Sequence, residues 1–94
     1  MAPVDIVVTL PGLLASCTGG ESVVTVRAAT LSSSIETLLQ TYPLLKTHLY
    51  QEDGALREHL MFLYNDESTN WLDSMDLPLS EGDRLTVLQL VSGG

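Results

Sequence analysis

Leu79-Ser80-Glu81-Gly82-Asp83-Arg84-Leu85-Thr86-Val87-Leu88-Gln89-Leu90-Val91-Ser92-Gly93-Gly94 closes the chain, and its pattern decides the fold. Pro78 and Gly82 punctuate a loop. Leu85 to Val91 then reads as a strand, with Leu85 and Val87 facing inward and Thr86, Leu88 and Leu90 outward. The strand runs straight into a pair of glycines. Glycine makes up about 7% of average composition, so such an ending is uncommon by chance. Two readings of it stand. One is a stub left by trimming or cloning. The other is a tail shaped to be threaded into another enzyme, because a residue without a Cβ fits a narrow channel and takes φ values that others avoid. On the second reading, the carboxylate of Gly94 is the group a partner would activate.

The same alternation appears upstream. Leu60, Phe62 and Tyr64 form the inward parity of a strand, with His59, Met61 and Leu63 on its other side. Asn65-Asp66 is a turn pair, since both residues tolerate positive φ. Trp71-Leu72 reads as a short strand after that turn, with Trp71 a core or edge packer. At the other end of the chain, Val4 to Leu10 places Val4, Ile6, Val8 and Leu10 on one face. Ser22 to Ala28 places Val24 and Val26 inside and Thr25 and Arg27 outside. The two make a hairpin with a long loop, which ends at Thr18-Gly19-Gly20.

Between these groups the period changes. Leu31, Ile35, Leu38, Leu39 and Tyr42 fall at helical spacing. Thr30 is a candidate N-cap, with Ser33 and Glu36 offering an alternative capping box. Pro43 closes the helix, and Leu44 to Tyr50 suits a second short helical turn. Two strands, a helix and then more strands can bury the helical stripe only against the sheet. The expected fold is therefore an α+β roll, a mixed sheet of four to five strands packed on one main helix. The expected organisation is a domain over 1–91 and a flexible diglycine tail over 92–94.

Composition narrows the function. The chain has 94 residues and a formal charge of −8, with Arg27, Lys46, Arg57 and Arg84 as its only cations. That balance argues against nucleic acid or an anionic membrane and for a basic protein partner. No apolar run approaches the ~20 residues of a membrane span. The opening MAPVDIVVTL has no basic region and is cut short by Pro11-Gly12, so a secretory leader is not expected and a cytoplasmic location is.

Catalytic sets are missing from the sequence. Cys17 is the sole cysteine; with a remote histidine it could form a nucleophile pair, but it has no basic neighbour to lower its pKa and reads as an inert loop thiol. His48 and His59 lie in different elements without metal-like spacing. Asp73, Asp76, Glu81 and Asp83 match no calcium loop. What remains is the outer sheet face. Thr86, Leu88 and Leu90, with Met61 and Leu63 beside them and Val7 and Val23 near, would leave an aliphatic patch next to the tail. Such patches mark protein-binding faces, and Leu88, Leu90, Met61 and Leu63 are the candidate partner-binding residues.

Leu79-Ser80-Glu81-Gly82-Asp83-Arg84-Leu85-Thr86-Val87-Leu88 followed by Val91-Ser92-Gly93-Gly94 resembles the ending of the ubiquitin-like sulfur carriers of the MoaD/ThiS family. The strand ending at Tyr64 with Asn65-Asp66-Glu67 is similar to that family's hairpin. Thr18-Gly19-Gly20-Glu21-Ser22-Val23 and Leu56-Arg57-Glu58-His59 are closest to its cysteine-biosynthesis type. Gln89 stands where these carriers usually have proline. The resemblance implies a β-grasp fold and a protein co-substrate rather than an enzyme. It implies that an adenylyltransferase akin to ubiquitin-activating enzymes spends ATP to form an acyl-adenylate on Gly94. Sulfur then displaces AMP to leave a thiocarboxylate. Gly93, Ser92 and Val91 would be the residues inserted into the partner, and no cofactor would be held by the chain itself. The acceptor would be a cysteine-synthase-like enzyme, a thiosugar synthase or similar. The family's other roles are a lysine-linked modifier, the small subunit of molybdopterin synthase and the sulfur carrier of thiamine thiazole synthesis.

Overall fold

The computed structural model describes residues 2–90. Val91, Ser92, Gly93 and Gly94 lie outside the described residues, and with them the expected tail. The element order is β1 (Val4–Thr9), a 3-10 helix (Gly12–Thr18), β2 (Val23–Ala28), α1 (Leu31–Thr41), α2 (Pro43–Leu49), β3 (Leu60–Tyr64), β4 (Glu67–Ser68), a 3-10 turn (Thr69–Trp71) and β5 (Arg84–Gln89). One five-stranded sheet runs in the order β2-β1-β5-β3-β4. β1 and β2 pair antiparallel, β5 lies parallel to β1, and β3 pairs antiparallel with both β5 and β4. This is the β-grasp arrangement: a mixed sheet with its helices on one face.

Strand parity sets the core. Ile6, Val8, Val24, Val26, Leu60, Phe62, Leu85 and Val87 are buried against Leu31, Ile35, Leu38, Leu45 and Leu49 of the helices. Burying a Leu-sized side chain contributes roughly 1.5–3 kcal/mol, so this layer carries the stability of a small domain. α1 starts where Thr30 caps it. The Thr30 hydroxyl accepts from the Ser33 N–H at 3.2 Å, and the Thr30 N–H donates to Ser33 Oγ at 3.0 Å. Ser33 closes this reciprocal box in place of the Glu at that spacing. The helix is also held from outside. The N–H groups of Leu31 and Ser32 donate to the carbonyls of Leu77 and Met75, so the irregular stretch before β5 satisfies two orphan donors of the first turn. Pro43 sits at the first position of α2, where its missing N–H costs nothing.

Two expectations are corrected. The strand after the Asn65-Asp66 turn is Glu67–Ser68, not Trp71-Leu72. Asn65 takes a left-handed φ of 56°, so the chain reverses at once and pairs Tyr64 with Glu67 and Leu63 with Ser68. The Ser68 side chain then accepts from the Asn70 N–H and starts the 3-10 turn. That turn puts Trp71 in solvent, at 78% exposure, where a core or edge packer was expected. The loop before β2 is likewise more regular than its composition suggests. It is a 3-10 helix that buries Leu14, Cys17 and Thr18 and ends on Gly19 at a φ of 72°.

Candidate functional site

β5 is the strand that leads to the C-terminal residues, and it occupies the middle of the sheet. Its start is fixed by a polar cluster. Gly82, at a φ of 88°, turns the chain so that the Asp83 carboxylate faces back toward β3. There it accepts from the Tyr64 hydroxyl at 2.5 Å, the Ser80 N–H at 2.8 Å and Asn65 Nδ2 at 3.4 Å. The Asn65 side-chain carbonyl accepts from the Arg84 N–H at 3.0 Å. Burial, then the hydrogen bond to Asp83 and its negative charge, push the Tyr64 hydroxyl up to about 12. Partial burial works against the Asp83 charge, but the bonds from Tyr64, Ser80 and Asn65 and the nearby Arg84 outweigh it. They hold its carboxyl below the ordinary range.

The other end of β5 stays laddered to the edge of the described chain: Leu60 pairs with Gln89, and the Leu90 N–H donates to the His59 carbonyl at 2.7 Å. The outer face is graded along the strands. At the exit end lie Leu90 and Leu88, with Met61 opposite Leu88. The next row holds Val23, Thr9, Thr86 and Leu63. Charges gather at the far end, where Asp5 pairs with Arg27 at 3.2 Å and Arg84 with Asp66 at 3.0 Å. Leu88 is 38% and Leu90 41% exposed, while Met61 and Leu63 are half-buried. The four candidate partner-binding residues therefore share one face at the exit of β5. Val91, Ser92, Gly93 and Gly94 lie outside the described residues.

The opposite side of the exit carries a groove of about 180 Å³ lined by Leu13, Leu14, His48, His59, Leu60 and Gln89. His48 and His59 both line this groove. Cys17 is buried, with Sγ 3.5 Å from His48 Nδ1. The same nitrogen lies 2.9 Å from the Leu44 carbonyl. A carbonyl can only accept, so Nδ1 carries the proton and cannot take one from the thiol. In this arrangement Nδ1 is engaged by the Leu44 carbonyl rather than by the thiol. Among the described residues no group of three or more His, Cys, Asp or Glu is placed to hold a metal ion. No helix among them is long and apolar enough to cross a membrane.

The model of the ThiS family matches residues 8–94, from β1 through the diglycine. The chain belongs to the ThiS family. It is 27% identical to the sulfur carrier protein CysO of Mycobacterium tuberculosis over 92 residues, covering 96% of this chain and 99% of that one. The fold superposes on crystalline M. tuberculosis CysO with a TM-score of 0.78 at 26% identity, covering 92% of this chain and 99% of that one. It matches a chain of the Amycolatopsis orientalis BexX/CysO complex with a TM-score of 0.77 at 29% identity, covering 95% and 99%. It matches SAMP1 of Haloferax volcanii with a TM-score of 0.75 at 27% identity, covering 96% and 99%. The resemblance read from the sequence and the ubiquitin-like β-grasp fold it implied are both borne out. The relatives are small carrier proteins rather than catalysts, and this chain is a sulfur carrier protein of that type.

Sequence reasoning missed the contacts of Asp83. In the sequence Asp83 stands among the loop acids, although Gly82-Asp83 preceding an apolar strand is a turn signal that marks it. The Cys17–His48 contact joins residues of two helical segments and leaves no local signal.

Proposed function

We propose that this chain carries sulfur as a thiocarboxylate on Gly94. The observation that supports it most directly is the aliphatic face of Leu88, Leu90, Met61 and Leu63 around the exit of β5, in a chain whose family match runs through Gly93-Gly94. A carboxylate is a poor electrophile. An adenylyltransferase akin to ubiquitin-activating enzymes would join it to the α-phosphate of ATP, releasing pyrophosphate. Sulfur then attacks the acyl carbon and AMP leaves. The product is a soft, exposed nucleophile that stays attached to its carrier. The globule supplies no catalytic group. It supplies a grip and a reach: four residues span at most about 14 Å at about 3.3–3.6 Å each, so Val91, Ser92, Gly93 and Gly94 would enter a buried site while the domain stays outside. ATP is consumed by the partner, the chain holds no cofactor, and the reaction belongs in the cytoplasm.

The acceptor on this reading is a sulfur-accepting synthase of cysteine-synthase-like or thiosugar type, which docks on the same face. The test is intact mass after incubation with ATP, the adenylating enzyme from the same genome and a sulfur source. The expected gain is the difference between one sulfur and one oxygen, and its absence overturns the reading. The similarity to SAMP1, a small archaeal modifier protein, supports a second reading in which the same activated Gly94 is passed to lysines. Reductant-resistant conjugates of high mass in cells would favour it over sulfur transfer.

A further inference from the structure

The outer face explains the aliphatic residues near the exit of β5, but it leaves Trp71 without a role. This is the only tryptophan of the chain. It is 78% exposed, the most exposed of the large apolar residues among those described. A monomeric domain gains nothing by solvating an indole, and tryptophan is enriched where interfaces concentrate their energy. The stretch of chain that carries it has one sign of charge. Asp66, Glu67, Asp73 and Asp76 are exposed on the same stretch, and the nearby cation Arg84 is paired to Asp66 at 3.0 Å. The position also fits. β4 and β5 both run antiparallel to β3 and so head the same way. The turn bearing Trp71 continues from β4 and packs against β3, so it flanks the aliphatic face on the side toward which β5 exits.

We propose that Trp71, with Glu67 and Asp73, is a docking surface for a basic Arg- or Lys-bearing segment of the adenylating enzyme. This rests on the carrier reading above. Charge complementarity selects the occupant. An enzyme that places a carboxylate against the α-phosphate of ATP must surround four phosphate charges with cations, so the rim of its nucleotide cleft is electropositive. The acidic stretch that carries Trp71 is complementary to that rim. A guanidinium or ammonium laid on the indole gains a cation–π contact, and the flanking carboxylates steer the encounter in a salt-dependent way. The acceptor synthase, which binds no nucleotide in this scheme, has no such requirement.

The experiment uses the full chain and the adenylating enzyme from the same genome. Trp71 is replaced biosynthetically by 5-fluorotryptophan, which gives the carrier a single fluorine resonance. Carrier-dependent ATP–pyrophosphate exchange is measured for wild type, Trp71→Ala, Trp71→Phe and Glu67→Lys/Asp73→Lys. Three results are expected together. The fluorine resonance shifts or broadens on adding enzyme. Trp71→Ala lowers kcat/KM about tenfold through KM, with Trp71→Phe intermediate. The charge-reversed variant loses most of the salt dependence of kcat/KM. Exchange within twofold of wild type for Trp71→Ala, or an unmoved resonance, overturns the docking surface while leaving the carrier reading in place. A wild-type chain that supports no exchange removes the carrier reading and the docking surface with it. All these side chains are exposed, and unchanged thermal melting of each variant separates lost docking from lost folding.

Discussion

The Asp83 cluster offers a direct test of what fixes β5. Asp83→Ala removes the acceptor of three hydrogen bonds, from Tyr64, Ser80 and Asn65. Bonds to a charged group contribute about 1.5–3 kcal/mol each when well formed. The 3.4 Å contact to Asn65 is too long to count fully. Water replaces part of the other two, because Asp83 is only half-buried. The expected cost is therefore about 2 kcal/mol, a fall in Tm of roughly 10 °C for a domain of this size. Tyr64→Phe keeps the ring packing and costs about 1 kcal/mol. If the two groups act through their shared bond, the double variant should cost about 1 kcal/mol less than the sum.

Chemical denaturation across pH gives an independent reading of the same cluster. The Asp83 carboxyl is held below its ordinary value in the folded chain. Its contribution is present above the unfolded carboxyl value of about 4 and is lost as pH falls through the depressed folded value. Tyr64 is raised to about 12, so its contribution is present below the unfolded value of about 10 and lost as pH rises toward 12. The stability gap between wild type and Asp83→Ala should be widest from about pH 5 to 9 and narrow at both ends. Additivity within about 0.5 kcal/mol, or a gap that ignores pH, would refute the assignment.

Two further outcomes follow from the geometry. Thr30→Ala breaks the reciprocal box at the start of α1 and should cost about 1 kcal/mol in urea denaturation, with Thr30→Ser restoring most of it. Leu88→Glu places a charge on the exposed aliphatic face, so stability should stay within about 0.5 kcal/mol of wild type. Its kcat/KM in pyrophosphate exchange with the adenylating enzyme should nevertheless fall at least tenfold.

The fold was legible where one period ran long enough to be read. β1, β2, β3 and β5 keep their inward residues at every second position, and α1 keeps its stripe between a capping threonine and a proline. Trp71 was misread because aromatic residues favour strands by packing against neighbours, and here the tight turn at Asn65 used up the pairing positions first. A two-residue strand such as Glu67–Ser68 has no period to detect. The helix over Gly12–Thr18 is short: its buried residues, Leu14, Cys17 and Thr18, fall at helical spacing for one turn only, beside the stronger turn signal of Gly19-Gly20. The candidate site divides the same way. Leu88, Leu90, Met61 and Leu63 followed from parity, whereas the polar anchor of β5 depends on a contact across 19 positions between Tyr64 and Asp83.

The central place of β5 has a mechanical consequence. A partner that draws on the C-terminal residues would pull along the axis of a strand paired with β3 over Leu85–Gln89 and with β1 over Arg84–Thr86. The load along that axis would be borne in shear, first by the β3 ladder and then by both ladders from Thr86 inward, rather than peeled from one bond to the next. Resistance to such a load is set by the unfolding rate rather than by equilibrium stability. A small domain built this way would withstand such pulls better than one whose last strand lay at a sheet edge.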